Sequence, residues 1–181
     1  MLSLSPQLLI ASARSLVGTG AVGAVLDPAT DAEGELRPAW DLHFIQRCGH
    51  LSHRDPETGE SSWPLPPGMS REELESFGTE RGVLQKTPEA GDIFLQYGPS
   101  RKAFVHAGIV MAVLGSGSYL PGKPYHDLYT VEGDTGPLGQ LYGGCILRVR
   151  RRLRPGAGDR FLRWVQLGAA PHPIADSMRA A

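Results

Sequence analysis

The chain is poor in cysteine. Cys48 and Cys145 are the only two, far apart in sequence and in no C-x-x-C arrangement. That excludes a disulfide framework and leaves no paired thiols for zinc or redox chemistry. It also lacks an excess of either charge: the formal net charge is -1. Nucleic acid and acidic membrane surfaces select a strongly basic field, so neither is expected as a partner. No apolar run is long enough to span a bilayer. The first ten residues have no basic start, and Pro6 and Gln7 interrupt them before a signal-like apolar stretch develops. The expectation is cytoplasmic by default, with delivery to the outside by a signal-independent route left open. Internal repeats are lacking too.

What is present is an ordinary globular composition: 181 residues, 41% hydrophobic and 20% charged, with 23 glycines and 15 prolines. This length supports one well-buried core rather than two, and the glycine and proline content points to many turns. One domain is expected over residues 1–168, with a tail over 169–181.

Leu8, Leu9, Ala13, Leu16 and Val17 recur at helical spacing over 6–17, with Ser5 as N-cap and Pro6 at the first helical position. Residues 18–38 are small, acidic and turn-rich, a long surface loop. Helical spacing resumes from Trp40 to Leu51 through Phe44, Ile45 and Cys48, with Gly49 as the stop. The proline-rich stretch 52–69 is a second long loop. Ser70 and Glu73 form a capping box that opens a short third helix. Strands are expected at 92–97, 103–114, 125–132 and 144–150 as a meander, then a last short helix over 158–167. The layout is α+β, with N-terminal helices packed on an antiparallel sheet.

The run from Phe104 to Val113 is almost wholly apolar and strand-forming, and His106 is its exception. Imidazole titrates near neutrality, so His106 is a candidate base; a satisfied core histidine is the plainer alternative. Glu132 closes the next strand and can orient that ring. Asp41 lies in the first turn of the second helix, and Asp134 follows Glu132 in Glu132-Gly133-Asp134-Thr135.

Four short motifs stand in order: Trp40 opening a helix, Pro88-Glu89-Ala90-Gly91-Asp92-Ile93-Phe94, His106-Ala107-Gly108-Ile109-Val110, and Glu132-Gly133-Asp134-Thr135 before Gly143-Gly144 and a basic strand. Over residues 5–155 this resembles a CHAP domain of the NlpC/P60 group, papain-like amidases and peptidases of peptidoglycan. The resemblance implies a papain-like fold, a cysteine nucleophile at the start of the central helix, His106 as the catalytic histidine and Glu132 as its orienting acid. No cofactor and no metal are expected.

The chain departs from that pattern at one decisive place. The family's Trp-Cys pair is here Trp40-Asp41, and Asp134 stands where many members have asparagine. A carboxylate is a far poorer nucleophile toward an amide than a thiolate, and it should ion-pair with protonated His106. The expectation is therefore a pseudoenzyme that keeps a cleft for a peptide, a cell-wall fragment or a partner protein. Two alternatives stand beside it: an active cysteine hydrolase in which Asp41 is an inactivating change, and a metal-assisted hydrolase using Asp41, His106 and Glu132.

The other residues divide less sharply. Cys48 lies two turns along the helix from Asp41 and reads as apolar filler, as does Cys145 in its strand. Trp40, Tyr97 and Tyr142 are candidate binding residues, and with Trp63 and Tyr119 they either line a groove or simply pack. His43, His50 and His53 read as solvated positions near the second helix, His126 and His172 as loop or strand-edge residues. The run Arg148, Arg150, Arg151, Arg152, Arg154 reads as a solvated strand edge, with an anionic polymer or partner as the sharper alternative.

Overall fold

The computed structural model describes residues 4–18, 40–135 and 145–168, with side-chain detail lacking at Trp40, Asp134, Thr135 and Cys145. The loop expected over 18–38 (beyond Gly18), the tail, Tyr142 and His172 lie outside the described residues. Within them the chain forms three α-helices and a six-stranded antiparallel sheet, an α+β arrangement. No described helix is long and apolar enough to cross a membrane.

Helix α1 (Pro6–Ser15) begins at its proline, whose missing N–H costs nothing there. Ser5 does not cap it with its side chain; the Ser5 backbone N–H is instead donated to His53 Nε2 at 3.1 Å. Helix α2 (Trp40–Ser52) runs through the middle of the domain, burying Asp41, Leu42, Phe44, Ile45 and Cys48. The expected stop at Gly49 is not one: the helix continues past it. A Cβ on Gly49 would come within 2.1 Å of the Trp63 ring, so glycine is there to let the indole lie against the helix. Helix α3 (Arg71–Glu80) opens on the expected capping box, with Glu73 N–H donating to Ser70 Oγ at 3.2 Å and Ser70 N–H to Glu73 Oε2 at 2.7 Å.

The strands are β1 (Leu84–Gln85), β2 (Ile93–Gly98), β3 (Ala103–Ser118), β4 (Pro124–Thr135), β5 (Cys145–Leu153) and β6 (Arg160–Leu162), in the order β1-β6-β2-β3-β4-β5. The meander from β2 to β5 is as expected, but the last short helix is not. Residues 160–162 instead insert as β6 between β1 and β2, followed by a 3-10 turn over Trp164–Gly168. Adjacent β6 residues serve opposite faces: Phe161 joins Phe94, Val110, Leu128 and Leu153 on one side, and Leu162 joins the helix-covered core on the other.

That larger core gathers Leu9 and Ala13 from α1, Ile45 and Cys48 from α2, Leu74 from α3, and Ile93, Leu95, Ile109 and Val131 from the sheet. The loop over 52–69 contributes Trp63 and Leu65 to it, so Trp63 packs in the core and lines no groove. His53 is likewise buried, against the rings of Trp63 and Trp164, where a solvated position was expected. His126 is buried within β4, and its Nδ1 shares a hydrogen bond with Ser116 Oγ at 2.7 Å. Cys48 is the apolar filler expected of it: burial pushes its thiol up to about 12, which leaves no thiolate at neutral pH.

Candidate functional site

The β3 to β4 ladder ends at Ile109 paired with Val131, while β4 goes on pairing with β5 through Glu132 and Thr135. The space where β3 and β4 part is filled by charged side chains from five elements. Asp41, in the first turn of α2, enters from the helix side. His106 comes from β3 and Glu132 from β4, and all three are at most 2% exposed. Gly108 makes the approach possible, since a Cβ there would meet Phe94 Cε1 at 2.6 Å and Glu132 Cγ at 2.8 Å.

The carboxylate of Asp41 is bound on every side. Arg71, the first residue of α3, donates a two-pronged bond, Nε to Oδ2 at 3.0 Å and Nη2 to Oδ1 at 2.8 Å. The backbone N–H of Ala107 donates to Oδ2 at 2.6 Å and that of Leu42 to Oδ1 at 2.9 Å. His106 Nδ1 lies 3.2 Å from Oδ2. On the other side of the ring, His106 Nε2 lies 3.0 Å from Glu132 Oε2. Glu132 is in turn held by Arg151, Nε to Oε1 at 2.8 Å and Nη2 to Oε2 at 2.5 Å, and by the Thr130 hydroxyl at 2.5 Å. The result is a continuous buried line, Arg71, Asp41, His106, Glu132, Arg151, in which cation and anion alternate when the ring is protonated.

Electrostatics favours that protonation. Burial alone disfavours an imidazolium, but hydrogen bonds to Asp41 and Glu132, and their charges, outweigh it and raise the His106 pKa above its ordinary 6.5. Burial pushes the Glu132 carboxyl up, yet the bonds from Arg151 and His106 more than reverse this and bring it down to about 2. Asp41 behaves alike: burial raises it, while bonds from His106 and Arg71 hold it below the usual carboxylate range. The forked geometry of each arginine suits this role, because two parallel N–H bonds match two carboxylate oxygens.

Chemically, the arrangement lacks the parts of a nucleophilic triad that would react. A general base needs a ring nitrogen with a lone pair facing its substrate. Both nitrogens of His106 instead face carboxylates. The two carboxylates also flank opposite edges of the ring, so Asp41, His106 and Glu132 do not converge on a common point where one metal ion would sit. No group of three or more metal-ligating side chains occurs among the described residues.

Of the residues singled out by sequence, Asp41, His106 and Glu132 are brought together; the side chains of Trp40 and Asp134 lie outside the described detail. Tyr97 is at the end of β2, edge-on to Phe104 with ring centroids 5.6 Å apart and against Gly158. The residues that sequence reasoning missed are Arg71 and Arg151. Arg71 was hidden inside the capping box. Arg151 was grouped with a solvated arginine run, whereas its side chain is only 14% exposed and turned to Glu132. Arg148, Arg150 and Arg152 are exposed on an edge strand, as expected, and Arg154 is exposed just beyond its end. Comparison of the chain with family models, with curated proteins and with solved structures returns no match.

Proposed function

We propose that the protein is a CHAP-type, papain-like domain whose hydrolytic centre has been converted into a structural ion-pair line. It works as a non-catalytic binding module for a peptide, a peptidoglycan fragment or a partner protein. The observation that carries this reading is the double engagement of His106, with Nδ1 at 3.2 Å from Asp41 and Nε2 at 3.0 Å from Glu132. A ring held in this way stays protonated and has no lone pair with which to activate a nucleophile.

Arg71 supports Asp41 as the residue this fold is built for, rather than a disarmed cysteine. Its guanidinium, 17% exposed, reaches across thirty residues of sequence to fork onto Asp41. With cysteine at position 41 that cation would face a single sulfur and lose its two-pronged partner. Conversion back to a hydrolase would thus take two changes, Asp41→Cys and Arg71→Ala, and even then His106 would have to give up its proton.

The test is release of new amino groups from purified peptidoglycan, together with co-sedimentation of the protein with the insoluble polymer. The chain should release none and should co-sediment. Amine release by the unmodified chain that disappears in His106→Ala would overturn the non-catalytic reading. Failure to co-sediment with any wall preparation would remove the cell-wall ligand.

A further inference from the structure

We propose that the outer edge of β5 is a docking site for an extended acidic segment of a partner protein, which adds to the sheet as a further strand with carboxylates at alternate positions. This rests on none of the roles given to the buried network.

Strand β5 is last in the sheet, and among the described residues no strand pairs with its outer side. The direction of its backbone groups follows from one contact: Thr130 Oγ1 of β4 lies 3.2 Å from the carbonyl of Val149, its cross-strand partner, so that carbonyl faces β4. In antiparallel pairing a residue's N–H and C=O point to the same side, and the side alternates along the strand. With Val149 facing β4, Arg148, Arg150 and Arg152 present their N–H and C=O groups outward, and the unbroken register from Leu147 to Leu153 preserves the alternation. An exposed edge of this kind is a template for another strand.

The same three residues place their side chains on one face of the sheet, opposite Val131, Tyr129 and Asp127 of β4. All three are exposed. The guanidinium of Arg148 lies 5.2 Å from the centre of the Tyr129 ring and that of Arg152 4.2 Å from Tyr125. Arg154 continues the row over Tyr119, at 5.4 Å. Among the described residues one carboxylate serves this row: Asp127 takes a two-pronged bond from Arg152 at 2.8 Å and lies 3.9 Å from Arg150, whose side chain is 66% exposed. A shallow depression of about 300 Å³ is lined by Asp127, Arg150, Arg151 and Arg152. The tyrosines hold the guanidiniums in place before any ligand arrives, which lowers the ordering cost of binding.

This surplus of cation on an edge that no described strand covers selects its occupant. A second copy of the chain would set arginine opposite arginine, and like charges directly across strands are destabilising. A polyphosphate chain offers acceptors alone, which would leave the outward carbonyls of Arg148, Arg150 and Arg152 without donors. An extended peptide matches both kinds of backbone group, and alternate glutamates or aspartates in it would meet the arginine row.

The experiment uses the full chain and a fluorescein-labelled peptide of alternating Glu and Val, read by fluorescence anisotropy at low salt. Its comparison ligands are the same peptide with Lys for Glu, a version N-methylated on alternate amides, and an oligothymidylate. The glutamate peptide should bind and the lysine peptide should not. N-methylation of the amides that face β5 should weaken binding by about tenfold or more, as expected for two or three lost main-chain bonds. Arg150→Glu, at an exposed position outside the buried line, should weaken it similarly with unchanged thermal unfolding. The proposal is overturned by no binding of the glutamate peptide, by equal binding of its N-methylated form, or by an oligothymidylate that competes as well as the peptide. Should Arg150→Glu fold poorly, the N-methylated ligand alone decides.

Discussion

Among the described residues two histidines are almost completely buried, and their surroundings drive them in opposite directions. His106 is 2% exposed and His53 is 1% exposed, so loss of water disfavours the cation at both. At His106 two carboxylates overturn that and the pKa rises. At His53 burial prevails, only partly offset by the Gly49 carbonyl, and the pKa falls. His53 Nε2 accepts from the Ser5 backbone N–H at 3.1 Å, so its ring proton belongs on Nδ1, 3.2 Å from the Gly49 carbonyl. His53 is thus a neutral clamp between the start of α1 and the end of α2, flanked by the rings of Trp63 and Trp164. The difference teaches that burial does not decide a histidine's role; the charges at its two nitrogens do.

The largest effect should come from breaking the charged member of the pair. Glu132→Ala would leave Arg151 and a protonated His106 without their shared carboxylate in a buried place. Stranding buried charges in this way typically costs about 3–5 kcal/mol. Urea unfolding should show the unfolding free energy falling by that amount, and a loss below about 1 kcal/mol, the rough worth of an exposed pair, would mean that the line is solvated and not a buried network. The matching cut at the neutral member is milder. His53→Leu keeps the apolar contact with both tryptophans and removes the acceptor of the Ser5 N–H, at about 1 kcal/mol. The Gly49 carbonyl keeps its helical bond from the backbone N–H of residue 53, and Ser52 Oγ keeps the Cys48 carbonyl, so no other partner is orphaned. A much larger loss would show that His53 carries charge after all.

The contrast was half legible in the sequence. His106, Glu132 and Asp41 stood out because titratable residues interrupt strand or helix starts at ordered motifs, and the structure brings those three together. Arg71 and Arg151 did not, because an ion pair formed across thirty or nineteen residues leaves no local periodic trace. Arg151 differs from its arginine neighbours only in phase: on a strand, the odd position faces the other side. His53 was misjudged for a related reason. Its burial comes from Trp63, ten residues on in a loop, and from Trp164, at the far end of the chain, neither of which helical spacing can anticipate. The strand β6 was read as helix because Phe161, Leu162, Trp164 and Val165 also satisfy a helical stripe. Its place between β1 and β2 is decided by long-range pairing, and three residues are too few for a period of two to declare itself.

The finest cut through the comparison is titration, since the two rings should bias stability in opposite senses around their common unfolded value of 6.5. His106 has a raised pKa in the folded protein. Its contribution is complete below 6.5 and is lost as pH rises through the folded value, because above 6.5 the native state holds more protons than the unfolded one. His53 has a lowered pKa. Its contribution is complete above 6.5 and is lost as pH falls through its folded value, where the unfolded chain holds the extra proton. His126, also lowered, adds to the second trend. Nitrogen-detected NMR of the two rings should therefore give a His106 that is doubly protonated at pH 7 and a His53 that is neutral there with its proton on Nδ1. In stability profiles, His106→Gln should flatten the decline on the alkaline side and His53→Leu the decline on the acid side. A His106 found neutral at pH 7, with a free nitrogen, would erase the contrast and return that ring to the list of working bases.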